Sequence, residues 1–211
     1  MWNFEDRIDA GRELARSLMH RTHDDAVVLG LPRGGVPVAA EVARGLNAPL
    51  DVIVVRKVGA PGHPELAMAA VGEEGAVVRN PDVIMAVGVG EEELAAAERR
   101  SRDEVESRLR ALRPGRSPEP IAGRVAIIVD DGIATGATMR AACAVVRARG
   151  ASRVIVAVPV AAPDALAGLD DADEIVCLCA PSDFMAVGMH YIDFRQTTDD
   201  EVSRLLADDT R

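Results

Sequence analysis

Residues 125–138 read VAIIVDDGIATGAT, and the order of residue types in this stretch decides the fold. Val125, Ile127, Ile128 and Val129 make a near-continuous β-branched run, as a strand buried on both faces of a parallel sheet requires. Asp130 and Asp131 follow at its carboxyl end, where open α/β sheets place their ligands. Ile133, Ala134, Thr135, Gly136, Ala137 and Thr138 then form a small-residue loop that opens a helix. Unpaired backbone N–H groups, the helix dipole and two hydroxyls make that opening an anion site. Adjacent carboxylates accept hydrogen bonds from a vicinal diol. Together they imply a sugar phosphate, its ribose hydroxyls on the acids and its 5′-phosphate one loop away.

Towards the N-terminus, Phe4, Ile8, Gly11, Leu14, Ala15 and Leu18 recur at helical spacing and predict an amphipathic helix over 4–20, then a polar turn at 21–25. Residues 26–31 read as a short buried strand. Pro32, Arg33, Gly34 and Gly35 break it, a helix over 36–46 closes at Gly45 or Asn47, and residues 50–55 form a second buried strand ending at Arg56 and Lys57. This is a βαβ unit. Residues 59–64 hold two Gly and two Pro and read as a loop. Residues 66–71 and 76–79 flank GEEG and pair as a hairpin. Residues 81–90 fit no single pattern. Residues 91–112 form a long charged helix with a narrow apolar stripe, Leu94, Ala97, Val105, Leu109 and Leu112. It offers Glu98/Arg102, Glu104/Arg108 and Glu106/Arg110 as i,i+4 pairs. A Pro-rich linker follows at 113–120.

Beyond the opening stretch, the pattern predicts a helix over 138–149 stopped by Gly150, a strand over 153–158, a short helix over 163–169 and a strand over 174–178. An irregular segment, 180–196, leads to a terminal helix over 199–206. Strand starts at Ala26, Leu50, Val125, Arg153 and Glu174 give a five-stranded, open, mainly parallel sheet with flanking helices, an α/β fold in one domain over 1–211.

The totals narrow the function. Hydrophobic residues make 48% of the chain and charged residues 27%, a globular balance, and the net charge of −10 argues against a nucleic-acid partner. No apolar run approaches the roughly 18 residues of a membrane span. Residues 1–18 lack the uninterrupted apolar core of a secretory signal. Three cysteines suit a reducing cytoplasm better than a disulfide scaffold. Cys177 and Cys179 on one strand face and Cys143 in a helix read as core packing, with no zinc spacing. No Walker A, G-x-S-x-G or G-x-G-x-x-G motif is present.

The run of apolar strand, acidic pair and T-G-x-T resembles the phosphoribosyl-pyrophosphate motif of the type I phosphoribosyltransferases. The LPRGG-V loop, the RK-x-GAPG stretch and the long charged helix are also similar to a bacterial branch of that family. The resemblance implies that Asp130 and Asp131 bind ribose hydroxyls and that residues 134–138 wrap the 5′-phosphate. It implies that Arg33, Gly34 and Gly35 hold pyrophosphate, with Arg56 and Lys57 reaching it; as plain residues these last two are a solvated pair at a strand end. Residues 58–74 fall where the family has its flap. His63 and Glu65 lie in it, and His63 reads as an ordinary loop residue rather than a proton donor. Residues 180–196 correspond to the hood over the acceptor. There Phe184 and Tyr191 either stack on a planar base or staple the segment to the core, and Phe194 reads as a staple.

The implied activity is Mg²⁺-dependent transfer of a phosphoribosyl group to a nitrogenous base or related acceptor, with the metal carried mainly by donor oxygens and water. Two other readings use the same pocket: a regulator that senses the donor or a nucleotide without turnover, and a hydrolase, for which the only nearby acids are Asp130 and Asp131. The narrow stripe of the 91–112 helix suits a homodimer surface.

Overall fold

The computed structural model describes residues 4–21 and 25–208. The middle of the polar turn expected at 21–25 lies outside the described residues, as does the side chain of Glu65.

The first helix, α1 (Arg7–Leu18), starts where Asp6 caps it, the carboxylate accepting from the N–H groups of Ile8 and Asp9 at 2.8 Å each. The start is later than the periodicity predicted. Phe4 stays outside the helix and pairs as an extended residue with Tyr191. Strand β1 (Ala26–Gly30) is buried throughout. Helix α2 (Gly35–Leu46) closes on Asn47 in the left-handed conformation, φ 53°.

Strand β2 is only Leu50–Val52. Residues 53–55 stay buried, and Ile53 still donates to Gly30 O at 3.1 Å, but the chain then leaves the sheet. Strands β3 (Arg56–Ala60), β4 (His63–Val71) and β5 (Val77–Arg79) form a separate antiparallel sheet. Arg56 and Lys57 therefore open β3 rather than end β2. The run LDVIVVRKV carries no Gly or Pro to mark the change, so its pattern reads as one strand. The loop expected at 59–64 is likewise mostly strand, with a turn only at Pro61 and Gly62. The hairpin across GEEG forms as predicted, Val71 opposite Val77 and Ala69 opposite Arg79.

Helix α3 (Pro81–Val87) settles the ambiguous stretch; Asn80 caps it by accepting from Val83 N. Helix α4 (Glu91–Leu112) has the predicted bounds. Its charges behave differently from the predicted i,i+4 ladder, of which only Glu106–Arg110 forms among the described ion pairs, at 3.8 Å. Glu98 instead takes Arg79 of β5 at 2.7 and 3.0 Å, Glu104 takes Arg56, and Arg108 grips Asp199 at 2.6 and 2.8 Å. These charges dock the helix on its neighbours, because partners from other elements lie within reach of both sides of its narrow stripe.

The remaining elements are β6 (Val125–Val129), α5 (Ala137–Ala148), β7 (Arg153–Val160), α6 (Pro163–Ala167), β8 (Glu174–Cys179) and α7 (Asp199–Asp208). Five strands make the main sheet in the order β2-β1-β6-β7-β8, all parallel. Alternation sorts their side chains onto two covered faces. Val28, Ile127 and Ile155 pack in one core with α1, α2, α4 and α7. Val27, Ile128, Val156 and Val158 pack in another with α5 and α6. The chain runs outward from β1 to β2 and, after β6, outward the other way. The switch point therefore falls between β1 and β6, and the loops after these strands lie side by side at the carboxyl edge.

The Pro-rich linker is no loose tether. Arg113, 8% exposed, donates to Asp51 of β2 and to Glu73 in the β4–β5 turn at 2.9 Å each. Arg149 at the end of α5 completes the cluster, 2.7 Å from Glu73. Burying charge is tolerable only when it is paired, and removing one partner strands the others. Arg113→Met is expected to destabilise the protein by about 3–5 kcal/mol in urea unfolding, well above the cost of losing an exposed ion pair.

Candidate functional site

The loop after β6 and the loop after β1 meet in direct contact. A Cβ added at Gly34 would fall 2.0 Å from Asp131 Oδ2, and one at Gly35 would fall 2.6 Å from Val129 O and 2.8 Å from Asp130 Cα. Both glycines are required by close approach, not by an unusual φ. The peptide joining Pro32 to Arg33 is cis. The acidic pair thus sits under the loop expected to hold an anion.

Burial pushes the Asp130 carboxyl well above the ordinary range, and the Asp131 charge adds to the shift. Burial also raises Asp131, against the pull of Arg7. Arg7 comes from the first turn of α1. Its Nε donates to Asp131 Oδ2 at 2.8 Å and its Nη2 lies 2.7 Å from the same oxygen. Sequence reasoning missed Arg7 because the two residues are 124 positions apart.

Past the pair, Ile133 is anchored rather than exposed. Its N–H donates to Val160 O at 2.9 Å and its carbonyl accepts from Ala162 at 2.8 Å, which pins the loop to the end of β7. Gly136 takes φ 74° just before α5. The turn leaves a pocket of about 180 Å³ lined by Asp130 and residues 132–139, with Ala134, Thr135 and Thr138 exposed. Thr138 stands in the first turn of α5, where backbone donors lack helical partners. Two residues further on, Arg140 donates to Thr135 O at 3.3 Å, bringing a cation beside the cradle. A basic residue four places after Gly136 was the available signal for it.

Arg33 lies half-buried in the β1–α2 loop, 3.7 Å from Asp199 at the start of α7. Arg56 and Lys57 part company, as neighbours on a strand must. Arg56 is exposed and its guanidinium pairs with Glu104 of α4 at 3.2 Å. Lys57 faces a cleft of about 480 Å³ between the small sheet and α5, which shares Ala137 with the phosphate-sized pocket. His63 is exposed at the start of β4.

In the segment after β8, the one regular element is a tight helical turn, Val187–His190. Val187 presses on the acidic loop so closely that a Cβ at Gly132 would sit 2.6 Å from it. Tyr191 is a staple: it is 7% exposed, packs on Phe4 and Phe194 at 5.5 and 5.1 Å, and donates its hydroxyl to Asp131 O at 2.6 Å. Burial, with the Asp131 charge second, raises its phenol well above the usual value. Phe194 is a staple too, its ring 4.0 Å from the Arg7 guanidinium. Phe184 is half-buried and stacks on His190 at 5.9 Å with planes 10° apart.

An acidic pair flanked by two anion-sized loops at a switch point defines a class of nucleotide- or sugar-phosphate-binding α/β proteins. The phosphoribosyl transferase domain family matches residues 4–192, and the chain belongs to that family. A Mycobacterium tuberculosis protein provisionally named a phosphoribosyl transferase is 52% identical over 204 residues, 96% of this chain and 46% of its own length. The chain thus spans about half the length of the curated relatives it matches. The crystal structure of TT1426 from Thermus thermophilus superposes with a TM-score of 0.90 at 46% identity, covering 98% of both chains. A Neisseria gonorrhoeae hypothetical protein with bound ppGpp shares the fold, with a TM-score of 0.53 at 15% identity over 98% of this chain and 94% of its own. Among the described residues, no helix is long and apolar enough to cross a membrane.

The contact at Gly34 gives a direct check. Gly34→Ala must displace Asp131 or the loop, and overpacking of this kind costs about 1–3 kcal/mol. Denaturant unfolding is expected to show that loss, and Gly62→Ala, where a Cβ meets nothing within 4 Å and only the φ of 73° resists, is expected to lose less.

Proposed function

We propose that the chain transfers the 5-phosphoribosyl group of phosphoribosyl pyrophosphate to a nitrogenous base or related acceptor and releases pyrophosphate. The observation that carries the reading is the contact of the Gly34–Gly35 loop with the Asp130–Asp131 pair, beside the cradle at 132–139. This geometry supports a ligand with an anion at each end and a diol between them.

In this reading the cradle holds the 5′-phosphate through backbone N–H groups and the Thr135 and Thr138 hydroxyls. Asp130 and Asp131 hold the ribose hydroxyls, and their negative charge favours positive charge developing at C1. The Gly34 N–H faces the pyrophosphate with Arg33, after it turns from Asp199, and Lys57 approaches across the cleft, while the Gly35 N–H stays on Leu31 O at 3.0 Å and braces the loop. The bond from C1 to the pyrophosphate oxygen breaks with its electron pair leaving on oxygen. The acceptor nitrogen forms the new bond at C1 and gives up a proton. Arg56 is left out, since its guanidinium is turned to Glu104.

Among the described residues, no three His, Cys, Asp or Glu side chains form a metal cage. In this reading Mg²⁺ would be carried on donor oxygens and water, and so would need few protein ligands. Bound there, Mg²⁺ would neutralise charge on the departing pyrophosphate. The hood is the acceptor side of the site, with Phe184 on His190 as its available flat surface.

A panel of purines, pyrimidines, orotate and nicotinate, assayed for pyrophosphate release, tests the transfer. Release with one acceptor is the expected result. Tight donor binding with silence across the panel would favour the regulatory reading, in which the same pocket binds without turnover. Two substitutions test the donor site by calorimetry. The double variant Asp130→Asn, Asp131→Asn is expected to abolish phosphoribosyl-pyrophosphate binding, and retained micromolar affinity would sink the assignment. Arg33→Ala is expected to weaken phosphoribosyl pyrophosphate by roughly tenfold, the loss of one charge-assisted contact, while leaving ribose 5-phosphate nearly unchanged.

A further inference from the structure

Three parts of the chain meet at one guanidinium. Arg7 of α1 reaches Asp131 Oδ2 with Nε at 2.8 Å and Nη2 at 2.7 Å. Its Nη1 donates to the carbonyl of Arg195 in the hood segment at 2.7 Å, and the Phe194 ring lies 4.0 Å from its central carbon. The side chain is 11% exposed and that of Asp131 14%. Tyr191 also holds this aspartate, donating its hydroxyl to the Asp131 backbone carbonyl at 2.6 Å. We propose that Arg7 is a positioning residue of the donor site, holding Asp131 in place for a ribose hydroxyl and tying the acidic pair to the hood. This rests on the reading of the pair as the holder of the ribose diol.

The physical need is plain. Two neighbouring carboxyls out of water resist ionising together, and the pair then titrates as a unit. A hydroxyl donates its strongest hydrogen bond to an ionised carboxylate. Burial and mutual repulsion both keep a proton on the pair, and Arg7 is the opposing charge that touches it. The other charged or titratable groups nearby are engaged elsewhere or are of the wrong kind. Tyr191, from the hood, is a neutral phenol whose hydroxyl goes to a backbone carbonyl. The Arg195 side chain pairs with Asp193 and Glu201. Arg33, from the β1–α2 loop, lies against Asp199, which Arg108 of α4 also holds.

The sign follows. Losing the Arg7 charge raises the carboxyls of the pair, so the ionised form that binds a diol appears only at higher pH. Binding falls near neutrality and returns in alkali. A merely mechanical peg predicts the same loss at every pH.

The test is calorimetric titration of ribose 5-phosphate from pH 5.5 to 9.5 into wild type, Arg7→Gln, Arg7→Lys and Asp131→Asn. Gln keeps hydrogen-bond donors without charge, and Lys keeps the charge. Titration of the ligand's own phosphate is common to all four proteins. The acid limb of Arg7→Gln is expected to move up by about one pH unit or more, the usual effect of an opposite charge in contact. Arg7→Lys is expected to stay near wild type. An Arg7→Gln profile that superimposes on wild type, or one lowered equally at all pH, would overturn the proposal. Asp131→Asn separates the two readings: if it binds as wild type does, the diol assignment has failed, whatever Arg7 does. If it loses binding while Arg7→Gln keeps the wild-type profile, only the role of Arg7 has failed.

Discussion

The loop that follows β1 rides on the carboxylates that follow β6 at a separation no side chain on the loop would allow. Gly34 and Gly35 are where that contact is made. It joins what the topology alone merely brings near: an acidic pair and a glycine turn on neighbouring parallel strands. Everything else at the carboxyl edge is arranged round this junction. Arg7 approaches the pair from α1, Tyr191 and Val187 cover it from the hood, and the cradle continues from it into α5.

Electrostatics and packing divide the work. The two hydrophobic cores fix the strands and helices by alternation, an effect of about 1.5–3 kcal/mol for each large aliphatic side chain fully buried. Charged groups make the joints between layers. Arg113 fastens the linker to both sheets, Glu98 and Glu104 of α4 fasten that helix to the small sheet, and Asp199 connects α7 to α4 and to the β1–α2 loop. The buried joint at Arg113 is a different object from the exposed ones. Its groups have no water to turn to, so it holds only as a complete set.

How much of this was legible follows from sequence distance. The strand, the acidic pair and the cradle are contiguous, so local pattern and chemistry point to one answer, and the five-stranded parallel sheet follows from its repeats of that pattern. The end of β2 was not legible because a strand that changes sheets without Gly or Pro looks unbroken. The ladder on α4 was misread because helical spacing supplies intrahelical partners but says nothing of Arg79, Arg56 or Asp199. At the site, Asp130, Asp131 and the loop glycines were identifiable from neighbours in sequence. Arg7 was not, and the sequence left Tyr191 open between stacking and stapling because its partner is 60 residues away. Such contacts exist only once the sheet has brought the segments together.

The pairing of residues 4 and 5 with the hood has a bearing on how the molecule is made. Phe4 donates to His190 O and accepts from Ile192 N, and Glu5 O accepts from Asp193 N. These partners are far apart in the sequence, and the main sheet lies between them. The hood covers the acidic loop through Val187 and Tyr191 and takes its rung on residues 4 and 5. The cover over the acidic loop is therefore a long-range feature, held by segments that only the folded sheet brings together.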